Sequence, residues 1–148
     1  MKKLIFLMIG LVFVVGAEIE ECNKGNAEAC YELGIMYYGK DYKKSAEYHK
    51  KACDGGYMQS CLLLGYLYED GKGVKQNYKK AYELLKKACN GGNTQGCCEL
   101  GYLYKDGEGV TKNYHTAYEY WRKAANQGDG LAAYYLKELC KDYPWVCK

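Results

Sequence analysis

Apolar positions in the middle of the chain recur with a helical period. Cys61, Leu64, Gly65 and Tyr68 stand at i, i+3, i+4 and i+7, one face of a helix. The spacing predicts a helix over Cys61 to Asp70, ended by Gly71 as glycine ends helices just past the C-terminus. A second stripe follows in Ala81, Leu84, Leu85 and Ala88, with Lys79, Lys80, Lys86 and Lys87 left on the water side. This helix is expected to run from about Asn77, a good N-cap, to Cys89. Asn90-Gly91-Gly92 then turns the chain back. The small residues Gly65 and Ala81 are expected to let the two helices approach closely.

The whole pattern returns 36 residues later, with Cys97 aligned on Cys61 and 19 of 36 positions identical. A shorter copy opens at Cys30 with Leu33-Gly34 and closes at Lys51-Ala52-Cys53, a period of 31. Its missing residues fall in the loop at Gly39-Lys40-Asp41, and loops tolerate deletions that helices do not. A fourth copy begins at Ala133 and covers only its first half. The expected repeats are about 26–56, 57–92 and 93–128, with a half repeat and C-terminal cap over 129–148. Stacked helix pairs of this kind form an all-α, α/α superhelical solenoid.

The N-terminus reads differently. Lys2 and Lys3 precede an apolar run from Leu4 to Val15, and Val15-Gly16-Ala17 carries small residues at cleavage positions. This reads as a secretory signal peptide over 1–17, with an uncleaved anchor as the alternative. The next cysteine, Cys22, is too far on for a lipoprotein. The expected mature chain is secreted, extracellular or periplasmic, with no membrane attachment after cleavage. Removing Lys2 and Lys3 takes the net charge from +3 to +1. Near-neutrality gives no electrostatic case for nucleic acid. A monomer is expected.

The chain has nine cysteines, and export makes paired ones disulfides. Cys22/Cys30, Cys53/Cys61 and Cys89/Cys97 share an eight-residue spacing. Within one helix that spacing spans about 12 Å, beyond the roughly 7 Å reach of a disulfide. Across a turn between antiparallel helices it is bridgeable, so each pair is expected to staple one repeat to the next. At the last junction Ala125 and Ala133 replace both partners together. Cys140 and Cys147 are expected to pair around the break at Pro144. Cys98 is left over, either a buried inert thiol or an exposed one able to cross-link. No Cys-x2-Cys cluster suggests zinc, so no metal and no cofactor is expected.

The series Leu-Gly-x-x-Tyr, Gly-x-Gly-Val, Asn-Tyr-x-x-Ala and Lys-Ala resembles the Sel1-like repeat, a relative of the tetratricopeptide repeat, over essentially the whole mature chain. With the cysteine pairs and the signal peptide, the chain resembles the Helicobacter cysteine-rich protein family. The resemblance implies an α/α superhelix, export and a β-lactamase label, with β-lactam binding and slow hydrolysis. The first loop is shorter than the pattern, the last junction lacks its cysteines, and Cys98 is extra.

The residues themselves carry no conventional catalytic motif. Neither Ser45 nor Ser60 has a lysine three residues on, as serine β-lactamases require. His49 falls in the repeat column of Leu85 and Trp121, and His115 in that of Lys43 and Lys79, so a shared metal is not expected. His49 reads as packed and His115 as solvated. The Gly-x-Gly stretches lack a following Gly-Lys-Ser/Thr and are connectors, not phosphate loops. A ligand is expected in a concave groove lined by one helix per repeat. Its candidates are Tyr31, Glu32, Ile35, Leu62, Tyr66, Glu69, Cys98, Glu99, Tyr102, Lys105 and Tyr134. The ligand would be a β-lactam or cell-wall-peptide-like molecule; the alternative is a non-catalytic scaffold for a peptide, peptidoglycan fragment or host protein.

Overall fold

The computed structural model describes residues 14–148. It is a run of seven named helices: α1 Ala27–Tyr37, α2 Tyr42–Asp54, α3 Met58–Asp70, α4 Tyr78–Asn90, α5 Thr94–Asp106, α6 Tyr114–Asn126 and α7 Gly130–Asp142. A 3-10 turn, Pro144–Cys147, ends the chain, and residues 14–23 are helical ahead of α1. Each helix packs on its neighbours in sequence, the all-helical superhelix expected. Most of the expected signal peptide, residues 1–13, lies outside the described residues. None of the described helices is long and apolar enough to cross a membrane.

The helix boundaries follow from capping. Asn26, Asp41, Asn77, Asn93, Asn113 and Asp129 each accept a backbone N–H of the helix they open, satisfying donors that have no partner inside the helix. The second helix of each repeat falls where expected. The first begins earlier: α3 starts at Met58 rather than Cys61, and α5 at Thr94. The turn after the preceding helix is shorter than the glycine-rich sequence implied, and the extra turn of helix matters for the site below.

One packing rule repeats along the core. The glycine of Leu-Gly lies under the central residue of the following helix. A Cβ on Gly34 would stand 2.6 Å from the His49 ring, one on Gly65 would stand 3.1 Å from Leu85, and one on Gly101 would strike the Trp121 indole. The large partner fills the space that glycine leaves. The second glycine of each long loop serves a different contact. Gly73 and Gly109 have φ of 71° and 68°, and a Cβ there would run into the backbone of Tyr42 and Tyr78 respectively. Each loop therefore docks on the start of the preceding repeat's second helix, which needs a residue without a side chain.

Four disulfides are formed: Cys22–Cys30, Cys53–Cys61, Cys89–Cys97 and Cys140–Cys147. The three at repeat junctions have Cα separations of 4.7, 4.7 and 4.6 Å. Their number places the chain in an oxidising, extracytoplasmic compartment. A lysine column reinforces the same junctions. Lys51 donates to Asn23 Oδ1 at 3.1 Å, Lys87 to the Cys53 carbonyl at 2.9 Å, and Lys123 reaches Cys89 Sγ at 3.6 Å. Replacing Cys53 and Cys61 together by Ala is expected to cost about 2–3 kcal/mol through the freed unfolded chain. The denaturant midpoint in oxidising buffer measures it, and a loss under about 1 kcal/mol would mean that packing alone holds the junction.

Candidate functional site

The first helices of the second and third repeats, α3 and α5, are joined by a polar network. Tyr66 of α3 donates to Glu99 Oε1 of α5 at 2.6 Å, and Gln95 Nε2 donates to the Tyr66 hydroxyl at 3.1 Å. Glu69 lies one turn beyond Tyr66 on α3. These side chains are half-buried except for Gln95, which is exposed. Their electrostatics follow from that burial. Desolvation pushes Glu69 up to about 7, with repulsion from Glu99, Glu108 and Asp70 adding to it. Desolvation also raises Glu99, reinforced by Asp129 and opposed by the Tyr66 hydrogen bond. Tyr66 is held far above the usual phenol range by burial and by its bond to Glu99. It stays a neutral donor at any physiological pH.

Beside this network α5, α6 and α7 enclose a pocket of about 230 Å³ lined by Tyr102, Lys105, Tyr134, Tyr135 and Glu138 among others. Tyr102 packs edge-on against Trp121 and Tyr135, with ring centroids 5.5 and 4.5 Å away. Burial, then Tyr135, raises its phenol. Tyr66, Glu69 and Glu99 thus form one expected group, and Tyr102, Lys105 and Tyr134 another.

The remaining candidates fall elsewhere. Leu62 is 0% and Cys98 2% exposed, so neither can meet a ligand. They share a repeat column with Tyr134, which is 56% exposed in the last copy. In the second and third copies that column is packed inside the stack, whereas in α7 Tyr134 lines the pocket with Tyr102. The Cys98 thiol is the buried, inert alternative: desolvation, with Asp129 and Glu99, pushes it up to about 12. On α1, Tyr31 stacks on Tyr57 at 4.6 Å, while Ile35 and Glu32 are exposed.

Gln95, Tyr135 and Glu138 complete the site without having been expected. Gln95, Glu99 and Tyr102 stand at i, i+4 and i+7, so the periodicity was present. Starting the helix at Cys97 hid its first turn.

His49 is fully buried and His115 exposed. His49 Nδ1 lies 3.2 Å from Ser60 Oγ, and Ser45 Oγ donates to the Gly34 carbonyl at 2.8 Å. All three polar side chains are sealed in the core. Among the described residues no group of three or more His, Cys, Asp or Glu is placed to hold a metal.

Comparison with known proteins fits this architecture. The chain is 35% identical over 79 residues to the Helicobacter pylori protein named "Putative beta-lactamase HcpE", a match covering 49% of this chain and 21% of that one. The chain thus spans about a fifth of that relative's length. Helicobacter pylori cysteine rich protein B superposes with a TM-score of 0.68 at 31% identity, over 84% of this chain and 92% of that one. A Sel1 repeat protein from Oxalobacter formigenes superposes at 0.82 and 26% identity, over 86% of this chain and 54% of that one. The Sel1 repeat model itself matches residues 27–57, 59–93 and 94–129, and the chain belongs to the Sel1 repeat family.

Proposed function

We propose that the odd-helix face is a binding groove for cell-wall-peptide-like ligands, β-lactams among them, and that it hydrolyses a bound β-lactam slowly. The observation that carries this is Glu69, a half-buried carboxylate pushed up to about 7 beside the Tyr66–Glu99 bond. A group titrating near neutral pH is matched to general base work. Glu69 takes a proton from water, the hydroxide adds to the strained carbonyl, the ring C–N bond breaks, and the proton passes to the ring nitrogen. Tyr66, Tyr102 and Gln95 supply hydrogen bonds and ring faces that orient the ligand. The likeness to HcpE, whose name is that of a beta-lactamase, supports β-lactams as a ligand class.

Binding without turnover is the second reading. It is favoured by the burial of both serines, Ser45 and Ser60, which leaves no exposed hydroxyl nucleophile of that type among the described residues. The test is turnover of a chromogenic cephalosporin by the oxidised protein, beside a heat-denatured control. Slow turnover with an inflection near pH 7 is expected. Glu69→Gln is expected to reduce it about a hundredfold while leaving binding of the cephalosporin and of peptidoglycan stem peptides intact. Binding with no turnover leaves only the scaffold reading, and binding unchanged by Tyr66→Phe with Tyr102→Ala removes this groove altogether.

A further inference from the structure

The near-neutral composition conceals a division of charge between the two helices of each repeat. The second helices, α2, α4 and α6, carry ten basic and four acidic side chains. The first helices of the same three repeats, α1, α3 and α5, carry six acidic and one basic. Stacking the repeats sums these into two faces of opposite sign. The basic residues recur in register: Lys43 with Lys79 and Lys44 with Lys80 stand 36 residues apart, and all four are exposed. Neutrality averaged over a chain says nothing of local potential, and a face with a clear excess of one sign attracts polyions whatever the net charge.

The basic face is also grooved. Between α2 and α4 lies a pocket of about 310 Å³ with Tyr68 in its wall and Lys50, Lys80 and Lys87 around it, alongside the carboxylates Asp54 and Glu83. Lys50 pairs with Asp54 at 2.6 Å and Lys87 donates to the Cys53 carbonyl, so Lys80 is the pocket lysine outside these bonds. Lys80 Nζ sits 5.2 Å from the Tyr68 ring centroid. A second hollow of about 440 Å³ places Lys79 beside Tyr82 and Tyr104. Lysine next to a tyrosine face is chemistry for an acidic sugar: the ammonium pairs with a sulfate or carboxylate while the pyranose ring lies on the aromatic. Among the described large hydrophobic residues that are exposed, only Tyr78 belongs to these three helices. A lipid surface rewards inserted apolar side chains, so the face fits a hydrated polymer better than a membrane.

We propose that the α2–α4–α6 face binds an acidic polysaccharide, independently of the groove on the opposite helices. The test uses the full oxidised chain, heparin as a sulfated probe, polygalacturonate as a uronate probe and dextran as a neutral one. Retention by both acidic glycans and not by dextran is expected, falling steeply with salt. The triple variant Lys43→Glu, Lys79→Glu, Lys80→Glu should bind at least about tenfold more weakly, with its log–log salt slope reduced by about one per lysine. A matched triple at the other end, Lys137→Glu, Lys141→Glu, Lys148→Glu, changes net charge equally and should leave binding unchanged. Circular dichroism confirms that both variants keep their helix content. The proposal is overturned by equal loss in both triples or by no retention on either acidic glycan. Binding to anionic vesicles without glycan binding also overturns it, as does a low-salt dimer joining the basic face of one copy to the acidic face of another.

Discussion

Trp121→Ala is expected to lower the stability of the oxidised protein by about 3–5 kcal/mol, the range for truncating a large buried aromatic. The indole is 1% exposed and lies over Gly101, which has no Cβ to refill the space. Truncation also removes the bond from the indole N–H to the Cys98 carbonyl, 2.9 Å long, although that carbonyl lies inside α5 and keeps its place in the helix ladder. Trp121→Leu, which copies the Leu85 column, should cost less. The same contact can be broken from below. Gly101→Ala drives a methyl into the Trp121 ring and should cost about 1–3 kcal/mol. Gly65→Ala meets the end of Leu85 at 3.1 Å, a side chain that can shift, and should cost less. Urea unfolding of the four variants gives the order. Equal losses for the two glycine variants would falsify the packing rule.

Two buried groups should make acid stability depend on opposing titrations. Burial lowers His49 to about 4 from an ordinary 6.5. Its Nε2 has no hydrogen-bond partner, so nothing compensates a charge there. The unfolded chain binds this proton first, so the stability that neutral His49 permits is full above about pH 6.5. It is lost as pH falls toward 4, by about 3 kcal/mol at the conversion of 1.36 kcal/mol per unit. Glu69 acts in the other direction. Its carboxyl is raised to about 7 in the fold, so the folded state binds the proton first and stability rises as pH falls from about 7 to 4.5. Half-burial makes this gain the smaller of the two. The wild type should therefore show a shallow melting profile between pH 7 and 4. Glu69→Gln should expose the His49 loss, with melting temperature falling steeply over pH 6.5 to 4. His49→Leu should expose the Glu69 gain, with melting temperature rising as pH falls below 7. Profiles of both variants running parallel to the wild type would show that neither titration is felt.

The helix pairs were legible because repetition checks each assignment. The Leu-Gly, Gly-x-Gly-Val and Asn-Tyr motifs occur twice in full, and each has a physical task visible in the structure. Gly65 and Gly101 receive the next helix, Gly73 and Gly109 dock a loop, and Asn77 and Asn113 cap a helix. The disulfides were legible for the same reason, since spacing alone excludes a bridge within one helix. The site was only partly so. Periodicity identifies the face that leaves the core of one repeat but does not separate the groove direction from the stacking direction. Leu62 and Cys98 are packed inside the stack, and only a knowledge of how repeats abut reveals it. Tyr66 and Glu99 were recognisable as lying off the core face, whereas their hydrogen bond spans two repeats. The charge division escaped a whole-chain count because the two faces nearly cancel.

The junction bridges have a consequence for how the chain acquires its covalent structure. Each of the three joins cysteines eight residues apart, and none links distant repeats. For a chain entering an oxidising space N-terminus first, every cysteine meets its correct partner before the next pair has arrived. Correct pairing is then a matter of timing as well as geometry, and needs little reshuffling. Adding or deleting a whole repeat leaves every other pairing undisturbed, so the length of such a molecule is free to change by whole units. The single point of competition is the neighbouring pair Cys97 and Cys98, where burial of the second thiol in the finished core removes the wrong product.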